Sequence, residues 1–264
     1  MRPLSGPLGR FPGVGFTAAL AFAYLYLPIV VLVALSFNEN RTATIWSGFS
    51  IQWYGVVLAN DDILRAASNS LIVATSAAAM ATVAALMAAL VTDRARFRGQ
   101  TTINALMSLP LVVPEIVTAV ATLLFFVAVG LTLGLLTVII AHTVFCIPFA
   151  YLPIRARLAG LDKGLGEAAA DLYASPWRVF FHITLPLLWP GVLSGAMLAF
   201  IISLDDFVIT YFVAGAGATT LPVYIFGMIR IGITPEVNAI SALMLLISIV
   251  FVSLAYLVGR PVRS

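Results

Sequence analysis

Charge is what this chain has least of: of its 264 residues only 9% are Asp, Glu, Lys or Arg, where an ordinary soluble domain carries about 25%. With 62% of residues hydrophobic, no water-soluble fold of this size hides so much apolar surface. Cysteine occurs once, as Cys146 inside the apolar stretch Val144-Phe145-Cys146-Ile147-Pro148, which rules out an intramolecular disulfide and a cysteine metal cluster. Lysine also occurs once. Lys163 is followed by Gly164 and Leu165, so the G-x-x-x-x-G-K-[ST] phosphate loop is missing, and with it the means to hydrolyse ATP in this chain. No nucleophile-elbow, zinc or dinucleotide motif is present. The net charge of +3 and pI near 9.2 come from arginines set in short segments beside apolar runs, a pattern of membrane topology and not of a nucleic-acid patch.

What is there is a series of long neutral segments. A helix needs roughly 20 apolar residues to cross about 30 Å of hydrocarbon, and six segments qualify. The first runs from about Phe16 to Phe37 and the second from about Leu71 to Thr92. Residues Ile116 to Ile154 form 39 uncharged positions, too many for one span. Gly130 and Gly134 mark a turn between a third helix, about 103–129, and a fourth, about 135–155. The fifth runs from about Trp189 to Val213 and the sixth from about Asn238 to Val258. The expectation is an all-α, polytopic membrane protein, residues 1–264 forming one transmembrane permease domain. The apolar run from Phe11 to Phe37 exceeds the 7–15 residues of a signal-peptide core, so the first segment is expected to be an uncleaved anchor.

Basic residues set the orientation. With the N-terminus inside, Arg2, Arg10, Arg94, Arg96, Arg98, Arg155, Arg157, Lys163, Arg178, Arg260 and Arg263 are cytoplasmic, 11 of the 14 Lys and Arg residues. Arg41, Arg65 and Arg230 fall outside. Both termini are therefore expected in the cytoplasm. Outside, residues 38–68 mix aromatic and polar side chains as at a membrane interface, and residues 214–236, rich in Gly and Pro around Val223-Tyr224-Ile225-Phe226, suit a short re-entrant or interfacial helix facing an external partner.

The longest cytoplasmic segment, about 156–188, is the most specific signal. Gly166 is expected to end one element; Glu167 to Leu172 favours helix, with acid at its N-terminal end. Ser175-Pro176-Trp177 has the form of a helix start, serine as N-cap and proline in the first helical position. Two short helices joined by a turn follow. Glu167-Ala168-Ala169, Ala174-Ser175-Pro176 and Ile183-Thr184-Leu185-Pro186 resemble the EAA motif of type I ABC importer permeases. The likeness extends from about residue 68 to 258. The run AFIISLDDFVITY ending at Tyr211, Leu221-Pro222, GITPEVNA at 232–239, Pro114-Glu115-Ile116-Val117 and Arg96-Phe97-Arg98-Gly99 are similar to the inner-membrane permeases for spermidine and putrescine, their second subunit in particular.

That resemblance implies a multi-pass permease of the bacterial cytoplasmic membrane, in contact with lipid and not with nucleic acid. Its expected partners are a second, related permease, two cytoplasmic ABC ATPases that hold ATP and Mg, and an external solute-binding protein. It assigns Glu167, Ala168, Ala169, Tyr173, Ala174, Ser175, Pro176, Leu185 and Pro186 to the ATPase-coupling loop, and no cofactor, catalytic residue or metal to this chain. One departure stands out. The family motif EAAxxxG has glycine in its seventh position, where this chain has Tyr173; either the turn is made differently or the tyrosine joins the ATPase contact. A type I permease for another solute, such as an amino-acid derivative, phosphonate or metal ion, and a proton-coupled secondary transporter are the competing readings.

Three acids fall within the expected spans: Glu115 in the third, Asp205 and Asp206 in the fifth. Counted along straight helices at 1.5 Å per residue, Glu115 and Asp205 reach a similar depth of about 21 Å. No Lys or Arg lies in the spans, and an unpaired intramembrane charge costs at least ~2.5–3.5 kcal/mol. A watery passage for a cationic substrate accounts for them; a cap at a helix break, protonation, or pairing with a partner subunit is the competing account. Which aspartate faces the passage stays open. Gly191, Gly195 and Ala199, and Ala77, Ala81, Ala85 and Ala89, form small-residue faces for close helix packing. His142 and His182 stand isolated in sequence and are expected to be structural.

Overall fold

The computed structural model describes residues 13–42, 45–94, 99–162, 164–232 and 234–258. Among them are helices and one isolated bridge, Asn38 to Phe49. Of the basic residues used for orientation, Arg2, Arg10, Arg96, Arg98, Lys163, Arg260 and Arg263 lie outside the described residues, as does most of the 96–99 motif. Five helices are long and apolar enough to cross a membrane, six when one sharply bent pair counts as a single span. The chain forms two compact units, residues 1–60 with 227–246, and residues 61–226 with 247–264.

In the first unit, α1 (Val14–Leu35) buries no residue, so its whole apolar surface is available to lipid or protein. The aromatic loop that follows is held by its own side chains. Phe37 stacks on Phe49 at 5.3 Å, Ser36 Oγ and Tyr54 Oη lie 2.6 Å apart, and Trp53 Nε1, from α2 (Gln52–Ala59), donates to the Asn38 carbonyl at 2.7 Å. The Asn38 amide in turn donates to the Ile45 carbonyl at 2.8 Å.

The second unit is built on α3 (Asp61–Arg94), α6 (Leu135–Ala159) and α9 (Leu185–Asp205), which pack on one another. Their contact depends on small residues. Ala77, Ala81, Ala85 and Ala89, four apart on one face of α3, are fully buried; without bulk there, the backbones approach closely. The second small-residue face works the same way. A Cβ on Gly195 would lie 2.6 Å from the Ala150 carbonyl oxygen of α6, and one on Gly191 2.6 Å from Arg157 Cβ.

Two expected spans are broken. The third is not one helix but α4 (Gln100–Val112) and α5 (Glu115–Ala128), bent by 112°. Pro114 explains the break: its ring disfavours helical backbone at the residue before it, and Val113 is extended at φ −72°, ψ 132°. The fifth span begins earlier and ends earlier than expected. Pro176 to Asp205 is continuous helix, made of α8 (Pro176–Val179), a π-helical turn (Phe180–Thr184) and α9; Asp206 then turns extended, ψ 126°, before α10 (Val208–Val213). The depths counted along straight helices therefore do not hold for Glu115. Two further expectations agree with the structure: the connection after α5 turns at Gly130, φ 73°, and residues 214–236 contain a short helix, α11 (Leu221–Ile231), followed by α12 (Pro235–Val258). Where the chain returns after α10, Gly215 is pressed so closely to the α5–α6 connection that a Cβ would sit 1.9 Å from the Leu133 carbonyl oxygen.

Candidate functional site

Two regions of the second unit carry the residues singled out in the sequence. In the loop between α6 and α9, α7 spans Gly164–Asp171. Gly166 lies inside this helix instead of ending an element, because the start is made earlier: the Asp162 carboxylate accepts the Gly164 N–H at 2.9 Å. At the other end Tyr173 adopts φ 61°, the one non-glycine residue at positive φ among the described residues. The Ala174 N–H donates to the Ala169 carbonyl at 3.0 Å, the bond that closes a helix through a left-handed residue. The turn is thus the one glycine would make, held by a tyrosine at a cost of roughly 1–2 kcal/mol.

After it, Ser175 caps as expected, its Oγ accepting the Arg178 N–H at 3.4 Å with Pro176 in the first turn. The second helix of the loop is not short. It runs through the π turn into α9 as one continuous helix. Glu167, Ala174 and Pro176 line a cavity of about 490 Å³ with Asp93, Asp162 and Val179. Ala168, Ser175 and Pro186 are exposed; Ala169 and Leu185 are half-buried. At the loop's base Arg157 Nε, from α6, donates to the Leu187 carbonyl at 2.9 Å.

The second region lies where the two broken spans meet, α10 packing on α5. Glu115 is the first residue of α5 and is half-buried; its carboxyl is a neighbour of the Asp206 carboxyl. Asp206 is buried and caps α10, accepting the Thr210 N–H at 3.0 Å. Asp205, one residue away, is exposed. The pairing of Asp206 was missed in sequence: His142 Nε2 lies 3.1 Å from its Oδ1, with side-chain exposures of 1% and 2%. His142 is buried as expected, but it is not isolated. Its Nδ1 contacts Ser203 Oγ at 2.8 Å and its Nε2 contacts Thr210 Oγ1 at 2.9 Å. Sixty-four positions separate His142 from Asp206, and the break that brings them together is itself local to Asp206. The signal that pointed there was a lone histidine in a neutral span and an uncompensated acid in another.

The chain from residue 81 to 264 matches the model of a family described as "Binding-protein-dependent transport system inner membrane component". The chain belongs to this family. It is a multi-pass inner-membrane permease component with a role in transport. Among curated relatives, the putrescine transport system permease protein PotI of Escherichia coli (strain K12) is 42% identical over 217 residues, covering 80% of this chain and 77% of the relative. The spermidine/putrescine transport system permease protein PotC of the same strain is 38% identical over 253 residues, 96% of each. Among solved structures, a chain of a bacterial ABC transporter that imports the acidic polysaccharide alginate aligns with a TM-score of 0.70 at 16% identity, covering 97% of this permease and 98% of that chain. A chain of the MetNI methionine ABC transporter gives 0.65 at 21%, covering 76% and 96%. At these identities the structural likeness concerns the fold, which is that of ABC importer membrane domains.

Proposed function

We propose that this permease carries polyamines of the putrescine and spermidine class inward, in an ATP-driven importer. It pairs with a second, related permease, two cytoplasmic ATPases holding ATP and Mg, and an external binding protein, with both its termini in the cytoplasm. The observation that carries the substrate assignment is the meeting of Glu115 and Asp206 at two helix breaks, supported by relatives named for putrescine and spermidine transport. Broken helices in membranes place unpaired backbone and polar groups beside a passage, and two carboxyls against one imidazole leave an excess of acid that suits a polycation.

The three acids take different parts. Asp206 is committed to His142 and to the α10 cap, so it holds the break. Glu115 and the exposed Asp205 are the carboxylates within reach of a passing amine. At the other end, the loop from Asp162 to Pro186 receives the ATPase, and its motion is passed to α9 through the continuous helix from Pro176. Removing the substrate's charge partner and removing the motor contact are thus separate lesions.

The test is a complex reconstituted in liposomes with its binding protein and ATPase. Putrescine or spermidine is expected to stimulate ATP turnover, and neutral or anionic solutes to leave it at the basal rate. Turnover that responds to an amino-acid derivative or a phosphonate but to neither polyamine overturns the assignment.

A further inference from the structure

The loop's tip contains a residue whose conformation works against it. Tyr173 holds a left-handed backbone that glycine occupies without steric penalty, so the turn itself does not explain a tyrosine. Nor does packing: the residue is 96% exposed, and among the described residues its hydroxyl has no hydrogen-bond partner. Strain kept in place without a return inside the fold points to a return outside it. The surroundings describe what meets it. Leu172 beside it is 82% exposed and Trp177 is 73% exposed, so the tip offers a small apolar and aromatic cluster. Glu167 and Asp171 on α7 are exposed acids and Arg178, next to Trp177, is an exposed base, so the flank is negative on the α7 side.

Resting on the docking role proposed above for the loop, we propose that Tyr173 is the anchor by which this permease engages its ATPase subunit, the ring entering an apolar pocket with a basic rim. Aromatic side chains seated in desolvated pockets carry a disproportionate share of interface affinity, and acids beside the ring select a positively charged rim. A lipid surface is the poorer match, because the cytoplasmic leaflet is itself negative and repels Glu167 and Asp171. The tyrosine thus makes the docking selective for an ATPase with such a pocket, in a position where glycine would leave only the turn.

The experiment titrates the purified ATPase subunit of the same transporter onto the full permease complex in nanodiscs. Tyr173→Gly and Tyr173→Ala are expected to weaken binding about ten-fold or more, with Tyr173→Phe within about three-fold, as for an anchor whose ring does most of the work. Tyr173→Gly is expected to melt no lower than the parent, since it relieves the strained backbone, which separates a lost contact from a damaged fold. The double change Glu167→Arg with Ala169→Asp controls for the underlying reading. If that loop variant binds weakly while Tyr173→Gly binds as tightly as the parent, the anchor assignment is overturned and the docking role survives. If both bind as the parent does, the docking role fails as well. A spin label on Tyr173→Cys that is relaxed by lipid-phase oxygen, and not by water-soluble nickel, in ATPase-free nanodiscs places the tip in lipid and also overturns the anchor.

Discussion

The loop between α6 and α9 and the cluster at Asp206 are built in opposite ways from the same unit. The loop's parts, from Asp162 to Pro186, are neighbours in sequence, and each bond is local: Asp162 to Gly164, Ala174 to Ala169, Arg178 to Ser175. The cluster draws Glu115, His142, Ser203, Asp206 and Thr210 from four helices or their breaks, and it is closed to solvent around Asp206. A local device on the surface can be altered with little effect on the rest of the fold. A distributed, buried one is part of the fold, so its residues answer to stability before they answer to transport. Function and folding should therefore separate cleanly at the loop and poorly at Asp206.

The sharpest break of that contrast is Asp206→Ala. It removes the carboxylate beside His142 and the acceptor for the α10 cap together, leaving the imidazole with Ser203 and Thr210 alone, and each buried polar group left unsatisfied costs about 1–3 kcal/mol. Thermal unfolding in detergent should fall well below that of the parent, with poor yield of folded permease. A permease that folds normally with alanine at this position, and fails only in uptake, would make Asp206 a substrate residue and undo the division of roles given above. Next in size is Gly195→Ala, which tests packing without touching charge. The added Cβ meets the Ala150 carbonyl at 2.6 Å, a backbone atom that moves only with α6, and such overpacking costs typically about 1–3 kcal/mol. Lowered melting with intact ATPase binding is the expected pairing of results.

Glu115→Gln probes the same cluster from its accessible side. Glu115 is half-buried at the start of α5, and His142 is held by Ser203, Thr210 and Asp206, so folding and assembly should hold. Uptake of putrescine should lose about ten-fold in affinity, equivalent to about 1.4 kcal/mol for one lost charge contact. Concentration-dependent uptake in liposomes reads it. Unchanged uptake would remove the charged passage from the proposal and leave the two acids as structural members of the break.

How far each region was legible follows from its construction. The six spans showed in the sequence because hydropathy over twenty residues needs no knowledge of neighbours, and the serine cap at Ser175 showed because capping acts over three residues. Pro114 was visible as a residue, yet a straight third helix was expected, since a proline in a membrane helix produces anything from a mild kink to a full break. The size of the bend, 112°, goes with α10 packing against α5, a contact that no local rule contains. His142 is the clearest case. Its partner lies on another span, and only the interruption of α9 at Asp206 turns the carboxylate to the ring. Tyr173 is intermediate: the motif marked its position as anomalous, and the backbone at φ 61° settles how the turn is made.

The smallest effect expected belongs to the loop, and it is the one that best isolates local construction. Ser175→Ala deletes the side-chain acceptor for the Arg178 N–H while leaving Pro176 to set the first turn, and loss of such a cap costs typically about 1 kcal/mol. Because α8 continues through the π turn into α9, fraying should stay within the first turn and not reach Leu188, which is buried. Global melting should therefore hardly change. Hydrogen exchange at Trp177, Arg178 and Val179 should quicken about five-fold, the factor that 1 kcal/mol of local stability implies, and substrate-stimulated ATP turnover should fall by less than that. Exchange that spreads past Thr184 would show that the Ser175 cap sets the stability of the whole helix from Pro176, and not of its first turn alone.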